Sequence, residues 1–189
     1  MLYTRKGDGG TTKLFNCKQG QRISKSDFIF DVLGGLDELN STLGYTKTLT
    51  RTSGDTIITS KGKIPYEQIL EKFQEHLFCI QAELGGSEVR IKKDSVNYLE
   101  YIIYEIETVL PPITSFVIPG GASSGAYLDV ARATARRVER QFVTLMNQRK
   151  TGVDRTGAMY LNRLSSALYA MARFANYQQG YSEKPPSYL

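Results

Sequence analysis

The segment Ala131-Arg132-Ala133-Thr134-Ala135-Arg136-Arg137-Val138-Glu139-Arg140 sets four arginines and one carboxylate within ten residues. On a helix advancing about 100° per residue, Arg132, Arg136, Glu139 and Arg140 fall within a sector of about 100°, and Leu128, Ala135, Val138 and Phe142 fill the adjacent one. The arginines therefore border a buried face rather than point away from it. A guanidinium is planar, permanently charged and able to grip phosphate oxygens two at a time, so a stripe of them can hold a polyphosphate. Glu139 then balances the charge, orients an arginine or helps to place a divalent cation. The competing reading is a solvated or inter-subunit salt-bridge face.

Two glycine-rich segments add to this chemistry. Gly120-Gly121-Ala122-Ser123-Ser124-Gly125 opens the arginine helix, where free N–H groups and the positive end of the helix dipole favour an anion. A flexible connector with a serine cap would look the same. Near the amino terminus, Thr4-Arg5-Lys6-Gly7-Asp8-Gly9-Gly10-Thr11-Thr12-Lys13 combines glycines, which let a backbone approach a ligand, with hydroxyls and cations. It is not a Walker A loop, because no Gly-Lys-Thr or Gly-Lys-Ser closes it. Lys25 reads either as a further phosphate-facing cation or as surface charge. Asn162, interrupting an apolar run, reads equally as a packed polar cap or as a ligand contact. The lone His76 has no second histidine with which to build a metal site and is expected at the edge of the core or the surface.

The elements that must position these groups follow from hydrophobic period. Ser26 or Asp27 can cap a first helix whose apolar residues run Ile29, Val32, Leu33, Leu36, Leu39 and Leu43, ending near Gly44 to Thr48. Thr50 to Lys63 is expected to be an exposed, mobile connection. Pro65 suits the first turn of a second helix, striped by Ile69, Phe73, Leu77, Ile80 and Leu84 and closed by Gly85 and Gly86. A third runs from about Asp94 until Pro111 and Pro112 stop it. The arginine helix continues to about Asn147, a break follows at Lys150 to Asp154, and a fifth helix carries Leu161, Leu164, Leu168, Met171 and Ala175. Residues 2–24 read as loop with short extended pieces. Five amphipathic helices without strand alternation imply an all-α bundle.

At 189 residues with 41% hydrophobic and 23% charged residues, the chain suits one globular domain. Its net charge of +5 favours acidic ligands without choosing among them. No apolar run is long enough to span a bilayer and the amino terminus lacks the pattern of a signal peptide, so the expected compartment is the cytoplasm, with no membrane partner. Cys17 and Cys79 suit reduced thiols.

Five segments taken together, in order, resemble one family. They are Tyr3 to Thr12, Asp37-Glu38-Leu39-Asn40-Ser41, Phe116 to Gly121, Ala131 to Arg140, and Tyr160-Leu161-Asn162-Arg163-Leu164-Ser165. The chain resembles the PduO-type ATP:cob(I)alamin adenosyltransferases along nearly its whole length, apart from Thr50 to Lys63 and the tail. That resemblance implies a trimeric five-helix bundle with active sites between subunits, in which ATP gives its 5′-deoxyadenosyl group to the Co(I) of a reduced corrinoid and releases triphosphate, with Mg²⁺ carried largely by ATP. Residues 1–25 would be the nucleotide-binding loop, 26–179 the bundle and 180–189 a tail of a single domain.

Residue by residue, the resemblance implies that Thr4, Arg5, Lys6, Gly7, Thr12, Lys13 and Lys25 cradle the triphosphate. Arg136, Arg137, Glu139, Arg140 and Asn162 would complete the ATP site. Catalytic roles fall to Arg132, Arg136, Glu139 and Asp37, with Arg132 pairing Asp37 across the subunit interface and Phe116 lying against the corrin. A downstream adenosylcobalamin-dependent enzyme would be a further partner, and nucleic acid would not. The family often carries histidine where Asp129 stands and aspartate where Ser166 stands, which bears on the corrinoid side. Two other classes remain open on residues alone: a basic nucleic-acid-binding helix module, and an adenylate sensor that binds ATP without turnover.

Overall fold

The computed structural model describes residues 3–149 and 154–188. Five helices make up the body: α1 (Phe28–Ser53), α2 (Tyr66–Leu84), α3 (Lys93–Glu107), α4 (Ser123–Arg149) and α5 (Arg155–Gln178). Four short strands complete it: β1 (Thr11–Thr12), β2 (Ile23–Ser24), β3 (Thr56–Thr59) and β4 (Gly62–Pro65). The antiparallel pair β1–β2 supplies the short extended pieces expected near the amino terminus.

α1 starts where the Asp27 carboxylate accepts the Ile29 N–H. It ends where Gly54 takes a left-handed conformation, φ 71°, that frees its N–H for the Thr50 carbonyl. The expected end at Gly44 to Thr48 was too early. Thr42, Thr46 and Thr52 return their hydroxyls to the carbonyls of Glu38, Thr42 and Thr48, so the threonine-rich stretch satisfies itself within the helix. Gly44 is retained in mid-helix because a Cβ there would meet the Gln74 side-chain nitrogen at 3.2 Å, where α2 passes.

Thr50 to Lys63 is likewise not a mobile connection. After the last turn of α1, the antiparallel hairpin β3–β4 pairs Thr56 with Pro65 and Thr59 with Gly62. Along β3, Ile57 and Thr59 are buried while Ile58 is exposed, the period-two alternation of a strand packed on one side. Its turn is held by the Glu105 carboxylate of α3, which accepts from the Ser60 N–H at 3.0 Å and its hydroxyl at 2.6 Å. Pro65 then caps α2 rather than lying in its first turn.

α5 is the central helix, packing against α3 on one side and α4 on the other; α4 packs on α1, and α1 on α2. An edge-to-face contact between Phe73 of α2 and Tyr98 of α3 closes the ring of helices. From Tyr160 to Asn176 most α5 positions are buried, as its near-continuous apolar and small residues require. The break at 150–153 lies outside the described residues, and Asp154 caps α5 by accepting the Thr156 N–H.

His76 is buried, 8% exposed, with Nδ1 3.2 Å from the Tyr160 hydroxyl. Burial lowers its pKa from 6.5 to about 4. The native state therefore binds fewer protons than the unfolded chain between those values, and stability falls as pH drops through that window. We expect the wild type to be less stable at pH 4.5 than at pH 7, with about 1–3 kcal/mol traceable to this residue. Urea unfolding of His76→Gln at both pH values checks it: the variant should lose that share of the pH dependence.

Candidate functional site

α4 buries Leu128, Ala131, Ala135, Val138, Phe142 and Leu145, and the arginines stand along the edge of that face as their spacing required. Arg132 is half-buried, donates to the Asp129 carboxylate at 2.9 Å and lies over the Tyr169 ring at 5.6 Å. One turn on, Arg136 is exposed and lends its carbonyl to Arg140 Nη1 at 3.1 Å. Arg137 turns the other way, to an ion pair with Glu38 of α1. Asp37, on the neighbouring position of α1, is exposed, and within one chain Arg132 pairs with Asp129 rather than with it.

Glu139 and Asn162 meet: the Asn162 amide donates to the Glu139 carboxylate at 2.9 Å, while its own oxygen accepts from Arg163 at 2.7 Å. Arg163 continues to Glu100 of α3 at 3.0 Å. The exposed amide is thus neither buried nor a helix cap; it fixes the carboxylate of α4 from α5.

Beside Arg132 and Arg136 opens a cleft of about 890 Å³. Phe116, 79% exposed, stands in its wall with Ile113 and Val117, and Ser165, Ser166 and Tyr169 of α5 form another side. The carboxy-terminal tail, left out of the sequence motifs, supplies Pro185, Pro186 and Tyr188 to the same lining. Its Lys184 carbonyl accepts the Ile118 N–H at 2.9 Å, a two-residue step from Phe116. Sequence reasoning missed these residues because Pro-Pro-Ser-Tyr carries no period; the signal was apolar and aromatic composition at a terminus.

The start of α4 departs from expectation. The Gly120 to Gly125 turn does not present an open anion cradle, because Asn176 of α5 fills it. Its oxygen accepts the Ala122 N–H at 2.9 Å and its nitrogen donates to the Gly120 carbonyl at 2.7 Å. A Cβ at Gly121 or Gly125 would lie 2.5 or 2.3 Å from that oxygen. These glycines make room for a side chain of the protein itself.

The amino-terminal segment folds as a compact cationic loop. Arg5 is held at φ 58° and Gly10 at φ 72°, and turns close from the Asp8 N–H to the Arg5 carbonyl and from the Gly10 N–H to the Gly7 carbonyl. Lys25 returns to this loop, its N–H on the Gly10 carbonyl at 2.8 Å and its ammonium 3.0 Å from where a Gly7 Cβ would sit. Thr4, Arg5, Lys6, Gly7, Thr12, Lys13 and Lys25 therefore gather on one feature, with Thr12 in β1. Arg22, which sequence reasoning passed over, fastens it: the guanidinium donates to the Lys6 carbonyl at 2.6 Å, the Thr11 carbonyl at 2.7 Å and the Thr11 hydroxyl at 2.7 Å. The loop is tethered to the end of α2 through the Phe15 N–H and the Gly85 carbonyl. Among the described residues no hydrogen bond or ion pair joins it to the α4 arginines.

Among the described residues no three His, Cys, Asp or Glu side chains gather as a metal site. Nor, among them, is any helix long and apolar enough to cross a membrane.

Comparison with known proteins agrees with this geometry. The family model described as cobalamin adenosyltransferase matches residues 2–175. The corrinoid adenosyltransferase PduO of Citrobacter freundii is 36% identical over 91% of this chain, which spans 49%, about half, of that relative. Human corrinoid adenosyltransferase MMAB is 33% identical over 97% of this chain and 72% of its own length. A solved variant of the PduO-type ATP:corrinoid adenosyltransferase of Lactobacillus reuteri, complexed with cobalamin and ATP, is 31% identical and superposes with a TM-score of 0.84, covering 100% of this chain and 97% of the other. With the family model matched over residues 2–175, the chain belongs to the cobalamin adenosyltransferase family.

Proposed function

We propose that the protein transfers the 5′-deoxyadenosyl group of ATP to the Co(I) ion of a reduced corrinoid. The observation that carries this reading is the cleft that sets Arg132 and Arg136 beside the exposed ring of Phe116, with the Asn162-held Glu139 on the next turn. Polyphosphate-binding cations and an apolar wall for a large flat ligand thus share one opening. In the transfer, the electron pair of Co(I) forms the bond to C5′ of the adenosyl group as the C5′–O bond breaks, and the electron pair of the broken C5′–O bond leaves with the triphosphate. Charge grows on the departing oxygens, and fixed guanidinium groups stabilise it most at that moment. No protein nucleophile is needed, because the cobalt of the substrate serves as one.

Arg136 and Arg140 are assigned to the triphosphate, and Arg137 joins them on leaving Glu38. Glu139 is held in place by Asn162 to orient these cations. Magnesium would enter as a companion of the triphosphate and supply charge neutralisation there; among the described residues no three His, Cys, Asp or Glu side chains gather. The Thr4 to Lys13 loop with Lys25 is the second cationic surface. It reaches the α4 arginines through assembly, with the loop of one subunit meeting α4 of the next in a homotrimer. Asp37 and Arg132 would pair across that boundary. The reading places the enzyme in the cytoplasm, its adenosylcorrinoid passing to an enzyme that consumes it.

A nucleic-acid interface fits less well, since Arg132, Arg137 and Arg163 each already face a carboxylate in the same chain. The deciding experiment follows the absorption of a Co(I) corrinoid in the presence of protein, ATP and magnesium. Its loss, dependent on all three, is expected; persistence of the Co(I) spectrum with several corrinoids would refute the reading. For Asp37→Asn we expect sedimentation to shift from trimer towards smaller species, with reduced turnover. Unchanged sedimentation and kinetics would remove Asp37 from the interface.

A further inference from the structure

Arg173 of α5 is only 9% exposed, and no sequence motif singled it out. Its guanidinium spans two segments that lie far apart along the chain. Nε and Nη2 donate to the two carboxylate oxygens of Glu183 in the tail, at 2.5 and 2.8 Å, and Nη2 also donates to the Pro111 carbonyl at 3.1 Å. Pro111 opens the irregular segment between α3 and α4 that carries Phe116, and Glu183 precedes the tail residues Pro185, Pro186 and Tyr188. A direct backbone bond, from the Ile118 N–H to the Lys184 carbonyl, joins the same two segments further along. Neither segment contains helix or strand, so each loses considerable conformational freedom in lying against the other. A planar guanidinium with forked donors, desolvated on the central helix, is well suited to fixing both at once.

We propose that Arg173 and Glu183 are positioning residues that clasp the tail to the Phe116 segment and so set the width of the corrinoid-side cleft. The inference rests on the adenosyltransferase reading, because it assigns that cleft to the corrinoid. Among the described residues Arg173 bonds to Glu183 and Pro111 and to neither Arg136 nor the amino-terminal loop, so the clasp acts on one substrate and leaves the other alone. Without it, Pro185, Pro186 and Tyr188 no longer have a fixed place opposite Phe116, and the corrinoid meets an ill-defined wall. Chemistry at the arginines, once both substrates are bound, is unaffected. A lysine at position 173 could not replace the clasp, since a single ammonium cannot engage both carboxylate oxygens and the Pro111 carbonyl in the same planar array.

The test uses Glu183→Gln in the full-length protein, because the residue lies in the tail and its replacement leaves the bundle core untouched. Two readouts are taken alongside wild type. The first is amide hydrogen exchange of the ligand-free protein, followed at Ile118, whose N–H is donated to Lys184. It should accelerate about tenfold or more in the variant, while amides of α1 exchange as before. The second is steady-state kinetics: KM for the corrinoid should rise about fivefold or more, with KM for ATP and kcat within about twofold of wild type. Arg173→Lys should reproduce both effects. Given an active wild type, a Glu183→Gln protein with unchanged Ile118 exchange and unchanged corrinoid KM would overturn the clasp and leave the adenosyltransferase reading standing. A rise in both KM values together would also overturn it, since that is the mark of general loosening. A wild type with no turnover of any corrinoid would overturn the functional reading and this inference with it.

Discussion

Replacement of Arg136 by alanine is expected to lower turnover by about 10²-fold or more, the usual scale for removing a charge-stabilising donor from a transition state. The residue borders the cleft beside Phe116, and its side chain is engaged in no ion pair among the described residues. Its neighbours differ in this respect: Arg132 is bound to Asp129 and Arg137 to Glu38. A cation in this position is available to a ligand without first being released. Because Arg136 is exposed and its side chain makes no hydrogen bond or ion pair among the described residues, thermal unfolding and helical circular dichroism should match wild type. Arg136→Lys should recover little, since one ammonium cannot reproduce two parallel contacts to phosphate oxygens. Retained turnover in a folded Arg136→Ala protein would move the triphosphate site away from α4.

The second large effect is expected at Asn176, through stability rather than chemistry. Its amide satisfies the Ala122 N–H and the Gly120 carbonyl, and Ala122 is only 2% exposed. Truncation to alanine strands both backbone groups, each costing about 1–3 kcal/mol when left without a partner, and leaves a void between Gly121 and Gly125. We expect a loss of roughly 3 kcal/mol, or a fall in Tm of about 6–12 °C for a chain of this size. Asn176→Asp, which keeps the acceptor for Ala122 and loses the donor to Gly120, should lie between. Calorimetry of the three proteins checks the order. Equal Tm values would mean that the turn before α4 does not depend on α5.

The contrast between these residues shows which features are legible in a sequence. Arg136 could be placed at the border of a buried stripe because helical period relates neighbours on one element, and α4 follows that period from Leu128 to Leu145. Asn176 could not be read in this way. Its partners stand more than fifty residues earlier on a different element, and the same glycines and free N–H groups would have suited an anion equally well. The tail escaped notice for a related reason: Tyr188 gains meaning only from lining the same cleft as Phe116.

Local signals were also weighed wrongly. α1 runs on past the end expected at Gly44 to Thr48, with Thr42, Thr46 and Thr52 satisfying their hydroxyls on carbonyls of the same helix. In Thr56-Ile57-Ile58-Thr59 the β-branched run and its alternation were present in the sequence, but flanking glycines suggested a loop. Arg22 shows a further gap. Three bonds from one guanidinium fasten the amino-terminal loop, yet nothing in the spacing of Arg22 from Lys6 and Thr11 foretells a hairpin that brings them together.

The ion pairs of the arginine helix bear on how it works. Arg137 and Glu38 join α4 to the motif that carries Asp37, so binding of an anion at Arg137 would be felt on the face assigned to the neighbouring subunit. Asp129 holds Arg132 within its own helix. Arg132, so held, lines the cleft together with Arg136.

The identity and ratio of the two products in a single reaction decide whether the protein transfers an adenosyl group to cobalt. Wild-type protein, ATP, magnesium and a chemically reduced corrinoid are incubated without oxygen, and the corrinoid and phosphate products are separated and quantified. One triphosphate for each adenosylcorrinoid formed is the predicted result, with neither product appearing when corrinoid or ATP is withheld. Release of diphosphate or orthophosphate without a carbon–cobalt bond would contradict the account.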